Sequence, residues 1–247
     1  LSATPERAYD DQGNAFIESH IGPVIFEFPL DAAIRAGILS PFTYHPLHWR
    51  PSDEDRERVQ NVFKAASAAE ASGTPFTEEE IWMKIANVYK TSEVKLPLFR
   101  EFVANHSGCL ENCIVFVATK EYGERVLPYV FQQTLQFHTY YDHDPPDVLR
   151  RFSEGRLGCL VTCHRLSEGI DIHSLKTVVL LSSDRARLET IQRIGRCLRV
   201  DPTNPHKRAC IVDFVRLPDS DEQDPTPDQE REKWLTQISQ AEPETSA

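Results

Sequence analysis

The chain has 247 residues, of which 40% are hydrophobic and 26% charged, so it is long enough for one large or two modest domains with a substantial core. Its formal net charge of −11 argues against a protein that coats nucleic acid indiscriminately, but it is compatible with a local basic groove. The sequence contains no apolar run of the ~20 residues that a membrane span needs and no signal-peptide pattern, so we expect a cytoplasmic protein without membrane contact. Because it begins with Leu1 rather than Met, we expect it to be a piece of a longer protein.

The six cysteines include two Cys-x-x-x-Cys spacings, Cys109/Cys113 and Cys159/Cys163. If residues 159–163 form a strand, the ends of that strand lie ~13 Å apart, too far to share a metal ion or a disulfide. The cysteines are therefore interpreted as reduced core residues of a cytosolic protein, with a zinc site as the alternative.

The first fifty residues contain short elements only. Ser2-Ala3-Thr4 is interpreted as the end of a strand that runs into a turn. The other elements predicted here are a turn at 10–13, a strand at 24–28, a helix at 30–36 and, because it contains two prolines, an edge strand at 39–49.

Residues from about 53 to 96 are predicted to form a helical insertion. Ser52 is a suitable N-cap for an Ala-rich helix that ends at a Ser-Gly-Thr-Pro break, and acidic residues fill the first turn of this helix. Thr77 caps a second helix, which has one apolar face formed by Ile81, Ile85 and Val88. We assign no chemistry to the insertion.

From residue 112 onward, apolar strand patterns alternate with helical ones. The predicted strands are 113–118, 134–140, 157–163, 177–181 and 209–215, and the predicted helices between them are 121–132, 145–154 and 185–199. Such repeated β-α units predict an α/β fold with a parallel sheet and helices on both faces, whose ligands bind beyond the carboxyl ends of the strands. Residues 218–247 are predicted to be an acidic, Pro-rich linker and tail, with a short helix at 228–239.

The helix predicted at 185–199 divides into two stripes at about 100° per residue. One stripe is apolar and consists of Ile191, Ile194 and Leu198. The other, which we call the arginine flank, consists of Gln192, Arg196 and Arg199. Gly195 lies between the stripes and lacks a Cβ, so we expect a neighbouring backbone to approach closely there. Two guanidinium groups one turn apart suit a ligand with several anionic oxygens, and the alternative is a basic face held in surface ion pairs.

A polar loop follows the strand predicted at 157–163 and ends in Glu-Gly-Ile-Asp-Ile. Gly169 permits a tight turn, and Asp171 is an acceptor that could hold a ribose hydroxyl. The alternative is a solvated loop in which the aspartate caps a turn. A second polar loop contains His138, Asp142, His143 and Asp144, but the acids are explained as capping groups before Pro145-Pro146, and no metal site is expected.

The segment Gln192-Arg193-Ile194-Gly195-Arg196-Cys197-Leu198-Arg199 resembles the last conserved motif of the superfamily 2 helicases, Gln-Arg-x-Gly-Arg-x-x-Arg. The segment 162–172 resembles their fifth motif, including its Glu-Gly-x-Asp-x ending seen in DNA-directed relatives. Residues 21–24 and 33–39 resemble the crossing segment of restriction-enzyme-like and excision-repair-like members of this superfamily. Cys163-His164 stands where DEAD-box members have Thr-Asp, which argues against a DEAD-box RNA helicase. The chain is therefore identified as similar to the C-terminal half of a superfamily 2 DNA helicase or translocase.

This resemblance implies roles for individual residues. Arg196 and Arg199 would be arginine fingers that reach the γ-phosphate of ATP. The other implied roles are ATP binding by Gln192, Gly169 and Asp171, coupling of hydrolysis to domain movement by Ser2 and Thr4, and contact with the nucleic-acid backbone by Thr119, Lys120, Thr139, Thr162 and Cys163.

The resemblance also implies a domain layout. Residues 1–30 would be the end of RecA-like domain 1 and a crossing segment, and residues 31–217 a RecA-like (P-loop NTPase-type) domain 2. The sequence has no phosphate-loop motif and no acidic Asp-Glu motif of the family's ATPase site, so ATP and Mg²⁺ would be held mainly by an N-terminal RecA-like domain. We expect this chain alone to be inactive and DNA to be its second partner. The rival hypothesis is a non-catalytic RecA-like module that docks nucleic acid or protein.

Overall fold

The computed structural model describes residues 11–23, 25–142, 144–145, 147–163, 172–183, 187–219 and 224–244. The predictions for Ser2, Thr4, Gly169 and Asp171 lie outside these residues. Among the helices described, none has the length and apolar character that crossing a bilayer requires.

A single parallel sheet forms the centre of the protein. Its strands lie in the order β1-β6-β5-β2-β4-β3, and every neighbouring pair is parallel. The strands are β1 (Phe42–Trp49), β2 (Cys113–Phe116), β3 (Phe137–Tyr140), β4 (Cys159–Thr162), β5 (Thr177–Leu180) and β6 (Ala209–Arg216). The strand predictions from residue 39 onward are thus confirmed, including the position of the Pro-containing β1 at an edge of the sheet.

Helices cover both faces of this sheet, as the α/β prediction requires. The helices of the described chain are α1 (Asp11–His20), α2 (Leu30–Arg35), α3 (Asp53–Ala71), α4 (Glu78–Lys90), α5 (Lys95–Asn105), α6 (Lys120–Phe131), α7 (Asp147–Ser153), α8 (Arg187–Cys197) and α9 (Pro227–Ser239). On one face, α2, α7, α8 and α9 bury apolar side chains against the strands. On the other face, α5 and α6 do the same.

The strands supply both core layers because alternate residues point to opposite faces. In β2, Ile114 and Phe116 belong to the first layer, whereas Cys113 and Val115 belong to the second. Every residue of β2, β4 and β5 is buried, which is what continuous apolar runs in a parallel sheet predict.

The helical insertion consists of α3 and α4, which pack on each other. Both predicted caps are confirmed: Ser52 Oγ accepts a hydrogen bond from the Asp55 N–H, and Thr77 Oγ1 accepts one from the Glu80 N–H. The Asp55 side chain is 3% exposed and also accepts a hydrogen bond of 2.6 Å from the Ser92 hydroxyl. This carboxylate therefore fixes the base of the insertion to the chain that enters α5.

Two predictions near the start of the described chain are wrong. Helix α1 occupies residues 11–20, so the turn predicted at 10–13 does not form. Residues 25–29 have no regular structure, and the side chains of Ile25 and Phe26 are 95% and 78% exposed. The largely apolar run predicted a strand there, but a strand needs a hydrogen-bonding neighbour, and in the described sheet the edge beside β1 has none.

Helix α5 was not predicted, although Phe99, Phe102 and Val103 place it firmly in the second core layer. The helix predicted at 228–239 is confirmed as α9. This helix packs on the core, which the expectation of a tail did not anticipate: Leu235 is fully buried, and Arg231 forms a buried bidentate ion pair with Asp213 of β6 at 2.9 Å for both contacts.

Candidate functional site

Helix α8 carries Gln192 and Arg196 of the arginine flank, and its predicted apolar stripe is confirmed. The helix ends at Cys197 rather than at the predicted residue 199, so Arg199 lies two residues beyond it, in an antiparallel bridge with Leu39. Ile194 and Leu198 are fully buried, and Ile191 is half-buried. On the flank, Gln192 is exposed while Arg196 and Arg199 are half-buried. The expected close approach of a backbone at Gly195 does not occur among the described residues, where a β-carbon at residue 195 would meet no atom within 4 Å.

Arg193 fixes the position of α8, a role that was not predicted from the sequence. Its side chain donates a hydrogen bond of 2.8 Å to the carbonyl of Ser182, which lies just beyond β5. Its guanidinium group also lies 4.8 Å from the ring centre of Phe116, which is the last residue of β2. The residue is only 9% exposed. Residue 193 stands four positions before the buried Cys197 and directly before Ile194, so helical periodicity alone could have placed it at the buried stripe.

The end of α8 is held by backbone contacts at the other end of the sheet, where strands begin. The Leu198 carbonyl accepts a hydrogen bond of 2.7 Å from the Ser40 N–H, and Leu39 and Arg199 form an antiparallel bridge. Since α8 has 11 residues and rises about 1.5 Å per residue, it spans about 16 Å. Arg193 therefore lies at the carboxyl end of the sheet, whereas Arg199 lies near its amino end.

Lys207 joins two segments at this amino end. Its ammonium donates to the carbonyl of Arg199 at 2.7 Å and to the carbonyl of His173 at 2.8 Å. The His173 ring also lies 3.1 Å from the carbonyl of Val200. Burial lowers the pKa of Lys207 from its ordinary value. Lys207 thus joins the residue after Ile172, the end of the segment that resembles the fifth motif, to Arg199 of the last motif.

Thr119 and Lys120 begin helix α6 at the carboxyl end of the sheet. Thr119 is the N-cap, and its hydroxyl accepts a hydrogen bond of 3.2 Å from the Tyr122 N–H. Lys120 is exposed in the first turn. Hydrogen bonding to its own backbone N–H and to Thr119 lowers the pKa of Glu121, so this helix N-terminus already favours negative charge.

The other predicted nucleic-acid contacts lie in strands β3 and β4 or directly after them. The Thr139 hydroxyl donates to Asp144 at 3.1 Å, and the fully buried Thr162 donates to the carbonyl of Tyr140 at 2.8 Å. Cys163 is half-buried, and burial raises the pKa of its thiol. Lys120 is therefore the most accessible member of the predicted set.

The acidic residues of the loop after β3 and the cysteines are predicted from the sequence to have structural rather than metal-binding roles. Asp144 accepts hydrogen bonds from Thr139 and from the Tyr141 N–H, so its carboxylate holds the turn after β3 rather than capping α7. All six cysteines are free, and three of them are buried. Within the described residues, no group of three or more His, Cys, Asp or Glu side chains is arranged to hold a metal ion.

Residues 95–201 match the helicase conserved C-terminal domain family. The match begins with α5 and ends two residues after Arg199, so it includes α8 and most of the sheet. It confirms the resemblance to a helicase C-terminal domain that the sequence motifs indicated.

Several known proteins are similar to this chain in structure or sequence. A fragment described as "a putative HsdR subunit of a type I restriction enzyme" from Vibrio vulnificus YJ016 has a TM-score of 0.54 and 21% identity, over 85% of this chain and 38% of that one, which confirms the RecA-like fold. S. cerevisiae Dbp5 bound to RNA and ADP BeF3 has a TM-score of 0.49 and 14% identity, over 95% of this chain and 48% of that one.

A viral protein named "Putative helicase 22", from Sulfolobus islandicus filamentous virus (isolate Iceland/Hveragerdi), is 37% identical over 60 residues. These residues are 24% of this chain and 10% of the viral protein. This chain thus covers less than half the length of each of the three proteins.

Proposed function

We propose that this chain, whose residues 95–201 belong to the helicase conserved C-terminal domain family, is the C-terminal motor domain of an ATP-dependent DNA helicase or translocase. In this proposal ATP and its Mg²⁺ are held mainly by an N-terminal RecA-like lobe, and the arginine flank of this chain faces them. Arg196 and Arg199 contact the γ-phosphate, and Gln192 contributes to ATP binding. Gly169 and Asp171 complete the nucleotide contacts, and Ser2 and Thr4 couple hydrolysis to movement of the lobes.

The meeting of residues 172–173 with residues 199–200 carries this proposal. Arg199 and the chain that directly follows Asp171 are far apart in sequence, yet Lys207 hydrogen-bonds to both. A triphosphate needs several donors at fixed positions, and guanidinium groups bind its oxygens bidentately while keeping their charge. The residues of the flank fit that ligand by their chemistry, and ATP bound there would supply the γ-phosphoryl group for hydrolysis.

The nucleic-acid contacts are proposed for the opposite end of the sheet. The exposed Lys120 and the N-terminus of α6 supply positive charge and N–H donors, which suit the phosphates of a strand. Thr119, Thr139, Thr162 and Cys163 belong to the same end. Because the hydroxyl of Thr162 is buried against Tyr140, we assign the first contact to Thr119 and Lys120. Helix α8 spans the distance between the two ligands, and Arg193 ties it to the nucleic-acid end.

The test of the finger assignment is the Arg196→Ala variant of the intact protein that contains this chain. We expect ATP hydrolysis to be lost by a factor of about 10³ or more while binding of DNA is retained. Arg187→Ala is the matched control, because Arg187 lies in the first turn of the same helix and stacks on Trp234 at 5.0 Å, away from the flank. Normal turnover by Arg196→Ala would contradict the assignment.

Steady-state ATP hydrolysis with and without single-stranded DNA separates the motor from the rival docking module. A motor hydrolyses ATP faster when DNA is present, whereas a docking module binds DNA without turnover. The same titration with RNA of equal length tests the choice of DNA, which rests on the Glu-Gly-Ile-Asp-Ile segment ending at Ile172. Equal stimulation by RNA would overturn that choice and leave the motor assignment in place.

A further inference from the structure

Lys207 is a buried cation in the loop between α8 and β6. The residue is 4% exposed, and its ammonium donates two hydrogen bonds, to the carbonyls of Arg199 and His173. Burying an ammonium group is costly unless its hydrogen bonds are satisfied, so this lysine is held in place by those two carbonyls. Its side chain is enclosed by the protein, which leaves it unable to contact a nucleotide directly.

The two carbonyls belong to segments that lie 26 residues apart in the sequence. His173 precedes β5, whereas Arg199 directly follows the buried end of α8. The same place is reinforced by Ser40, whose N–H donates to the Leu198 carbonyl at 2.7 Å, and by the contact between His173 and Val200. The backbone at Arg199 is therefore fixed by neighbours from three parts of the chain.

We propose that Lys207 is a positioning residue for the arginine fingers. It holds the backbone of Arg199 at a set distance from His173, so that the Arg199 side chain is placed to meet the triphosphate. This inference rests on the proposed motor function. A shift of about 1 Å in a group that acts on the transition state can lower turnover by up to about 10²-fold, so a tether of this kind affects catalysis without contact with ATP.

The chain offers a matched control in Lys95. This lysine is 2% exposed and likewise donates to two backbone carbonyls, those of Lys90 at 2.8 Å and Leu181 at 2.6 Å. It lies at the carboxyl end of the sheet, where Leu181 follows β5, and so it is remote from Arg199. Loss of Lys95 removes the same chemistry as loss of Lys207 without touching the arginine flank.

The experiment compares Lys207→Met, Lys95→Met and His173→Ala in the intact protein, at a temperature where thermal melting shows all three to be folded. We expect Lys207→Met to lower kcat for DNA-stimulated ATP hydrolysis by about 10- to 100-fold with little change in KM for ATP. Lys95→Met should keep kcat near the wild-type value although its melting temperature falls. His173 is exposed, so His173→Ala should melt like the wild type and lower kcat by a smaller factor.

Hydrogen exchange gives a second readout that does not need hydrolysis. Lys207→Met should speed exchange of the amides at 173 and 199–200 in this chain, and Lys95→Met should not. Wild-type kcat in Lys207→Met, or equal falls of kcat in both lysine variants, would overturn the positioning role. An intact wild-type protein without ATP hydrolysis would instead overturn the proposed function, and unchanged exchange in Lys207→Met would overturn the tether itself.

Discussion

The hydroxyl of Tyr141 occupies the space beside Gly123 where any other residue would carry its β-carbon. A β-carbon at residue 123 would lie 2.0 Å from Tyr141 Oη and 3.1 Å from its Cζ. Tyr141 follows β3 and is 7% exposed, and Gly123 lies in the first part of α6. This contact sets how closely α6, with Thr119 and Lys120 at its start, approaches the carboxyl end of the sheet.

Gly123→Ala is expected to destabilise the protein. Alanine is the better helix former by about 1 kcal/mol, but the overlap with the Tyr141 ring forces a shift in a packed core, which costs about 1–3 kcal/mol. Urea unfolding should therefore show a lower free energy of unfolding. Gly195→Ala is the control, because it makes the same change in a helix where the added methyl group meets no atom of the described part of the chain. Equal stability of the two variants would contradict the packing argument.

Tyr141→Phe is expected to leave the free energy of unfolding unchanged or to raise it. Within the described residues the Tyr141 hydroxyl is buried and has no hydrogen-bond partner, and a buried unsatisfied hydroxyl costs about 1–3 kcal/mol. Tyr122→Phe provides the contrast, since the Tyr122 hydroxyl donates to the Ser92 carbonyl at 2.7 Å and its loss should destabilise by about 1 kcal/mol. A larger loss in Tyr141→Phe than in Tyr122→Phe would show that the hydroxyl has a partner after all.

The contribution of Lys95 to stability is expected to rise with pH. Burial lowers the pKa of Lys95 from its ordinary value of 10.5 to about 7, an effect that the charges of Asp228 and Asp55 only partly offset. Between these two values the unfolded chain binds more protons than the folded one, so the free energy of unfolding increases with pH. The free energy of unfolding of the wild type minus that of Lys95→Met, both measured by urea unfolding, should therefore grow from about pH 7 to about pH 9. A difference that shrinks over this range would show that the cation is the favoured buried form.

Gly195→Ala is expected to slow DNA-stimulated ATP hydrolysis without lowering the stability of the chain. Among the residues that the structure describes, none has an atom within 4 Å of a methyl group at residue 195, and the better helix propensity of alanine should raise stability by about 1 kcal/mol. In the proposed motor this space beside Arg196 faces the ATP-binding lobe, where an added methyl group would hinder closure. We therefore expect slower DNA-stimulated ATP hydrolysis in the intact protein. Wild-type hydrolysis would show that no lobe approaches α8 at this residue.

Local patterns predicted the elements that obey a simple period. The apolar runs of β2, β4 and β5 and the stripe of Ile194 and Leu198 follow directly from burial, and the caps at Ser52 and Thr77 need only a hydroxyl before a run of acids. The apolar stretch at 24–28 has the same appearance but lacks a neighbouring strand. Pairing is a property of the whole sheet, so no local pattern could distinguish it.

The residues that the sequence did not reveal are buried charges. Lys95, Arg193, Lys207 and Arg231 each bind a partner elsewhere in the fold, such as Ser182 for Arg193 and Asp213 for Arg231. A charged side chain is normally assigned to the surface, and only the position of its partner in space shows otherwise. For Arg193 the helical period indicates that the side chain is buried. Lys207 lies in a loop, where no such period exists to indicate burial.

The ion pair between Arg231 and Asp213 determines where the C-terminus of this protein can be truncated for expression. Asp213 is fully buried in β6, and its carboxylate also accepts a hydrogen bond of 2.9 Å from the Tyr44 hydroxyl. A shortened version that stops after β6 would strand that carboxylate without its cation, at a cost of about 3–5 kcal/mol. Expression boundaries should therefore retain α9 and extend through residue 244, whose N–H donates to the carbonyl of Arg35.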